Sequence, residues 1–321
     1  MVLGFGCAVP AVYATRTLEN RTQRIMTSLL VPLMSCSARL PVYVVFGLAF
    51  FGAAAASVIT GLYVVGILIA GIVAMVLSRT ILRERDDAVF ALELPPYRVP
   101  TFKALTTHTW QKTKEFVVKA GTVILIISIG LWFLMNLPWG VEDQRDSAFG
   151  QVSAAAAPVF EPAGFGTWEA AGALVTGFIA KEVVVATMAQ AYVGEDEPAT
   201  DAPVPSIGED IREVGTSLIA AGEGALRSTL SIIPGVDLVA EEGAQEQDTA
   251  LSAALGSAFT PLAAFAFVMF VLIYTPCVAT LAAIRSEFGW RWAAFSGLYQ
   301  FGIAWLLAVV VFQVGTFLGY A

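Results

Sequence analysis

The sequence of 321 residues is poor in charge: Lys, Arg, Asp and Glu together make up 14% of it, too little to cover the surface of a soluble protein of this length. It has one histidine, His108, which argues against a catalytic triad or a multi-histidine metal centre. Its three cysteines, Cys7, Cys36 and Cys277, are widely spaced and lie in apolar stretches. An odd set of this kind builds no disulfide framework and leaves the redox compartment open. There is no Gly-x-x-x-x-Gly-Lys-Ser/Thr phosphate loop, no paired CxxC and no HExxH, so neither nucleotide chemistry nor zinc hydrolysis is expected of these residues. The N-terminus lacks a basic region followed by a short apolar stretch and a small-residue cleavage site; no signal peptide is expected. The net charge of −8 and pI of about 4.8 exclude nucleic acid as an expected partner. Residues 195–248 contain no lysine, and Arg212 and Arg227 are their only basic side chains, a bias that resembles salt-adapted proteins.

What the sequence has in abundance is apolar surface: 57% of its residues, with a mean hydropathy of +0.74. Runs long enough to span a bilayer occupy 25–52, 56–78, 120–139, 168–192, 256–284 and 292–318, which predicts an all-α, polytopic membrane protein in a lipid bilayer. Pro32, Arg39 and Pro41 interrupt the first run, so it is not expected to be one straight helix. Residues 101–118 read differently. Phe102, Leu105, Trp110, Phe116 and Val117 share one helical face flanked by Lys103, Lys112 and Lys114, the pattern of a helix lying in the cytoplasmic interface. His108 falls on the opposite, polar face and reads as a solvated residue rather than a metal ligand.

Positive charge at the membrane edges sets the orientation. Arg16, Arg21 and Arg24 precede the first run, Arg79 to Lys119 lie between the second and third, and Arg285 and Arg291 flank the last turn. All three groups are cytoplasmic if residues 140–193 contain an even number of crossings. A single span at 168–192 fails that count. Either this run is a re-entrant hairpin, or 147–166 also enters the membrane. Labelling of single cysteines is expected to find Glu19 and Asp86 in the cytoplasm and Glu242 outside. Label reaching position 242 from the cytoplasm would overturn the even-crossing count.

A faint internal repeat runs through the chain. Gly4-Phe5 with Cys7 compares with Gly177-Phe178 with Ala180, and Ser35-Cys36-Ser37-Ala38 with Pro276-Cys277-Val278-Ala279. The charge-derived orientation makes the copies antiparallel, a transporter plan with broken helices and a substrate site near the midplane. The division expected is a first gate-type repeat at 1–78, an interfacial helix and connecting span at 79–139, and a second repeat at 140–321 with an acidic insertion at 193–255.

Cys36 follows Pro32 and Cys277 follows Pro276, and proline frees a carbonyl in the preceding turn. Thiolate beside freed carbonyls suits Fe(II), Cu(I) or Zn(II) better than Mg(II) or Ca(II); as small buried packing residues these cysteines would need no ligand. Both readings stand at this point, with Cys7 ranked third because its repeat counterpart is Ala180. Lys181 and Glu182 sit inside an apolar run, where each charge costs about 2.5–3.5 kcal/mol on insertion scales and needs a partner. Glu182 could bind or relay a cation while Lys181 gates it, or Glu182 could pair with Arg39 and hold helices together. On a continuous helix the two neighbours would point about 100° apart and could not both face one site.

The motifs Gly4-Phe5-Gly6-Cys7-Ala8-Val9-Pro10-Ala11, Pro32-Leu33-Met34-Ser35-Cys36-Ser37-Ala38-Arg39-Leu40-Pro41-Val42-Tyr43, Glu93-Leu94-Pro95-Pro96-Tyr97-Arg98-Val99-Pro100, Gly177-Phe178-Ile179-Ala180-Lys181-Glu182-Val183-Val184-Val185 and Tyr274-Thr275-Pro276-Cys277-Val278-Ala279-Thr280 resemble the ferrous iron transport protein B (FeoB) family, in the right order along almost the whole chain except 195–248. The resemblance implies the carboxyl-terminal permease part of such a transporter. It would be a multi-pass plasma-membrane protein with two gate-type repeats, moving Fe(II) inward as substrate with no permanently bound cofactor. It also implies that Cys7, Cys36 and Cys277 contact the ion. The family's GTP-binding domain is not among these residues, so no enzyme activity is expected; a separate chain would supply GTP hydrolysis and the missing first segments. A homo-oligomer stays open. The competing readings are a gate-domain transporter of an organic substrate such as a nucleoside, which would place aromatic and amide side chains at the repeat interface, and a non-transporting membrane scaffold or inactive fragment.

Overall fold

A computed structural model describes residues 1–82, 101–137, 144–193 and 244–319. The motif at 93–98, Asp86, Glu242 and the acidic residues 194–243 lie outside the described residues, as does the side chain of His108. Among the described residues the chain is helical and contains no strand. The long apolar stretches are Arg21–Arg79, Pro261–Phe288 and Trp290–Phe317, with shorter ones at Leu125–Asn136, Trp168–Ile179 and Val183–Tyr192. This is the predicted all-α, polytopic architecture.

The helices come in broken pairs. In the first half a 3-10 turn at Val2–Phe5 gives way at Gly6-Cys7 to α1 (Ala8–Ala14). Next come α2 (Arg21–Leu30), an irregular stretch through Cys36, and α3 (Leu40–Phe51), followed by a long helix, α4 (Ala55–Arg79). A single helix, α5 (Phe102–Asn136), and a short one, α6 (Ala148–Ala156), lead to the second half. There α7 (Trp168–Ile179) breaks at 180–182 into α8 (Val183–Val193). After α9 (Ala244–Ala258), α10 (Pro261–Ile273) breaks at 274–277 into α11 (Val278–Phe288), and the long α12 (Trp290–Phe317) closes the fold. With α9 set aside, the order of a broken helix, a second broken helix and a long helix recurs in both halves.

Local chemistry explains most of these ends. Pro32 and Pro41 stand in the first turns of a 3-10 segment and of α3, where a missing N–H costs nothing, and so stop the helix before them. Asn20, Ser147, Thr167 and Thr260 cap α2, α6, α7 and α10 through their side chains, satisfying backbone donors that would otherwise be orphaned in lipid.

The two halves are inverted. At one end of the bundle Arg16, just before α2, makes a two-point ion pair with Glu287 near the end of α11, and Arg24 in α2 lies 3.7 Å from the same carboxylate. At the other end Phe51, closing α3, stacks edge-on with Phe265 near the start of α10, and Phe46 packs against Phe259 and Phe267. The broken helices α2–α3 and α10–α11 therefore run antiparallel. The same ion pairs put the N-terminal arginines and the turn carrying Arg285 and Arg291 at one end, as the charge distribution requires. Helices α7 and α8 form a hairpin: Thr167 and Tyr192 share a hydrogen bond of 3.1 Å at its open end, and Thr176 and Thr187 one of 3.0 Å inside it. Residues 168–192 thus fold back on themselves as a helical hairpin.

Helix α10 is the centre of the molecule. Every residue from Ala266 to Ile273 is buried, the signature of a helix apolar on all sides and enclosed by others. Phe267 and Phe270 meet Phe46, Phe160, Phe165 and Phe301; in lipid such close packing, not water exclusion, holds helices together. Two expectations read differently here. Residues 102–136, taken above as an interfacial helix and a separate span, form one uninterrupted helix of 35 residues. Leu251 and Leu255, within the stretch set apart as an acidic insertion, are buried core residues of α9.

Candidate functional site

The breaks converge. Cys7 is the N-cap of α1, Cys277 the N-cap of α11, and Cys36 directly precedes the short turn that opens α3. Each thiol thus stands at the start of a helical segment, beside a break in the chain's helices. Ser37 fastens the first two breaks together, its hydroxyl donating to the Gly6 carbonyl at 2.9 Å. Helices α1 and α11 pack through Val9, Val12, Ala279 and Ile284, and Cys277 lies against that cluster. All three cysteines, together with Glu182, line one cavity of about 280 Å³ between the halves.

The break at 180–182 has no proline. Its surroundings are closely packed: a side chain at Gly177 would run into Val184 and the Tyr274 hydroxyl, so glycine lets α7 approach the second broken helix closely. Lys181, in the break, is buried, and its Nζ donates to the carbonyls of Thr275 at 2.9 Å and Tyr274 at 3.5 Å, over the face of the Tyr274 ring. Because residues 180–182 are not helical, the separation of about 100° expected between Lys181 and Glu182 does not apply. Both line the same cavity.

Arg39, also buried, serves the equivalent break of the first half. Its guanidinium donates to the carbonyls of Pro32 at 3.2 Å and Met34 at 3.3 Å. The Glu182–Arg39 ion pair weighed as a structural alternative is not formed among the described residues; Glu287 instead pairs with Arg16 and Arg24. The carbonyls freed by the helix breaks, expected to stand ready for a cation, are occupied by protein cations. Among the described residues no group of three or more His, Cys, Asp or Glu side chains stands close enough to hold a metal ion. The cavity gathers candidate ligands without closing them into a coordination shell.

Two lining residues lie within the motifs without having been singled out as candidate ligands. Met34 brings a thioether, and the Thr280 hydroxyl lies 3.2 Å from the Cys277 sulfur. Their signal was proximity: Met34 is two residues before Cys36 and Thr280 three after Cys277, each within the same break or the first turn after it.

Comparison with known proteins agrees with this geometry. The Gate family, described as nucleoside recognition, matches residues 117–291, just over half of the chain. The family described as ferrous iron transport protein B C terminus matches residues 59–112. The Fe(2+) transporter FeoB of Staphylococcus aureus (strain MSSA476) is 38% identical over 318 residues, covering 98% of this chain and 40% of that protein. The Fe(2+) transporter FeoB of Salmonella typhi is 37% identical over 330 residues, 99% of this chain and 42% of that protein. A Porphyromonas gingivalis protein named Fe(2+) transport protein A/Fe(2+) transporter FeoB fusion protein is 34% identical over 352 residues, 98% of this chain and 37% of its own length. The chain therefore spans about two fifths of the relatives it matches. No solved structure matches it.

Proposed function

This chain belongs to the Gate family and, with the FeoB carboxyl-terminal match beside it, to the membrane part of the FeoB group; from that premise we propose that it lines the path by which ferrous iron crosses the plasma membrane. The observation that carries the reading is the single cavity where Cys7, Cys36, Cys277 and Glu182 meet at helix breaks of two inverted halves. Sulfur ligands favour Fe(II) over Mg(II) and Ca(II). A loosely gathered ligand set suits transport, which needs a site that binds well enough to receive the ion and weakly enough to release it. Fe(II) is then substrate, and no resident cofactor is needed.

The nucleoside alternative finds no support at this cavity. Its lining contains neither an aromatic nor an amide side chain, the groups that stack on a base and read its edge. The function proposed is transport rather than catalysis.

Co-expression with the amino-terminal portion of a FeoB relative, in a bacterium lacking ferrous-iron uptake, is expected to restore Fe(II) accumulation. Accumulation no greater than with the amino-terminal portion alone, while this chain is present in the membrane, would favour a non-transporting scaffold. The isolated chain is expected to show no saturable GTP binding in a calorimetric titration, because it has no phosphate loop. A micromolar dissociation constant would contradict that.

A further inference from the structure

Lys181 is a buried cation with no carboxylate partner among the described residues. Its surroundings are two backbone carbonyls and an aromatic face, the oxygens and π-electrons that would also surround a small bound cation. Those carbonyls, of Tyr274 and Thr275, belong to the break that Cys277 ends, and Lys181 lines the same cavity as that cysteine.

We propose that the Lys181 ammonium is a built-in stand-in for the transported cation. It fills the carbonyl cradle of the Tyr274–Thr275 break while the path is empty, and must leave for a divalent ion to be held by Cys277 and those carbonyls. The proposal rests on the ferrous-iron reading of this cavity and adds the exchange step to it.

Three features support exchange rather than a fixed structural role. An ammonium and a divalent ion a few ångströms apart in a low-dielectric site repel strongly, so one cradle cannot hold both. Lys181 emerges from a non-helical turn between α7 and α8, on a flexible four-carbon stem ending in a point charge, so it can swing within the cavity without breaking a helix. Arg39 offers the contrast. Its planar guanidinium is fixed to carbonyls five and seven residues back in its own break, whereas Lys181 reaches across 93 and 94 residues to the other helix break of the same half. The first contact shapes a local turn, and the second joins two broken helices. When Lys181 leaves, Glu182 in the same cavity can receive it. The exchange balances charge in part, since one positive charge leaves the cradle as two arrive.

The test uses the purified full chain in detergent without oxygen, with Co(II) as the probe. Thiolate–Co(II) absorption reports binding at the cysteines, and peptide mass spectrometry after amine acylation reports exposure of Lys181, with the exposed Lys103 as internal standard. Co(II), but not Mg(II), is expected to raise Lys181 acylation several-fold. Lys181→Met, which removes the charge and keeps a long side chain, is expected to bind Co(II) at least about tenfold more tightly, or about 1.4 kcal/mol; Lys181→Arg is not. Thiolate–Co(II) absorption with Lys181 still protected would overturn the exchange proposal and leave the cysteine reading standing. No such absorption in wild type or variants would overturn that reading and the proposal with it. The acylation measurement needs no variant, so a misfolded Lys181→Met leaves the proposal decidable.

Discussion

The double variant Cys36→Ser, Cys277→Ser is expected to lose more than about 100-fold in Co(II) affinity, because even partners outside the coordination shell cost about 10–100-fold when removed. Serine nearly preserves volume, so the helix breaks set by Pro32, Pro41 and Pro276 should persist. What disappears is the soft sulfur ligand at two helix breaks, which a serine hydroxyl does not replace. Fe(II) accumulation in the co-expression assay should fall with the affinity. Cys7→Ser should cost less, since Cys7 is exposed at the cavity mouth while Cys36 and Cys277 are partly buried. Wild-type uptake by the double variant would return both cysteines to a packing role. Equal losses at all three positions would instead erase the ranking among them.

The second large effect concerns stability. Arg39→Leu should destabilise the chain by about 2–6 kcal/mol, since it strands the buried carbonyls of Pro32 and Met34 at about 1–3 kcal/mol each. Lipid offers no water to rescue them. Arg39→Lys should fall between, because one ammonium keeps the charge but not the planar fork that reaches both carbonyls. Thermal unfolding in detergent, followed by size exclusion, measures this directly. A Leu variant within about 0.5 kcal/mol of wild type, the scatter of ordinary surface substitutions, would show that water or lipid reaches this break after all. The Cys36 segment should also lose its shape in this variant, so its Co(II) affinity should drop even though no thiol has changed.

These two predictions differ in what made them legible. The cysteines could be singled out from the motifs, because Pro32 and Pro276 announce local breaks and the repeat pairs the two positions. The role of Arg39 could not. Its charge inside an apolar run signalled a need for partners, and a carboxylate was the natural candidate. The structure supplies backbone carbonyls instead, five and seven residues upstream. Choosing between them needs the path of the chain through the break, which hydropathy does not contain. Glu182 shows the complementary limit: a helical wheel at 168–192 assumes a helix that stops at Ile179.

The sequence by itself determined the membrane class, the positions of the proline-marked breaks, the inverted order of the two halves and the three thiols placed at those breaks. These follow from signals within a few residues of where they act: runs of apolar side chains long enough for a bilayer, a proline without an N–H, arginines at the ends of spans. The tertiary structure alone decided the proline-free break at 180–182, the attachment of Lys181 to carbonyls 93 and 94 residues away, and the capture of freed carbonyls by protein cations. It also decided that residues 102–136 run on as one helix where the polarity pattern changes. Polarity says which environment a segment prefers. Only the packing of remote helices says where a helix must open and which group fills the opening.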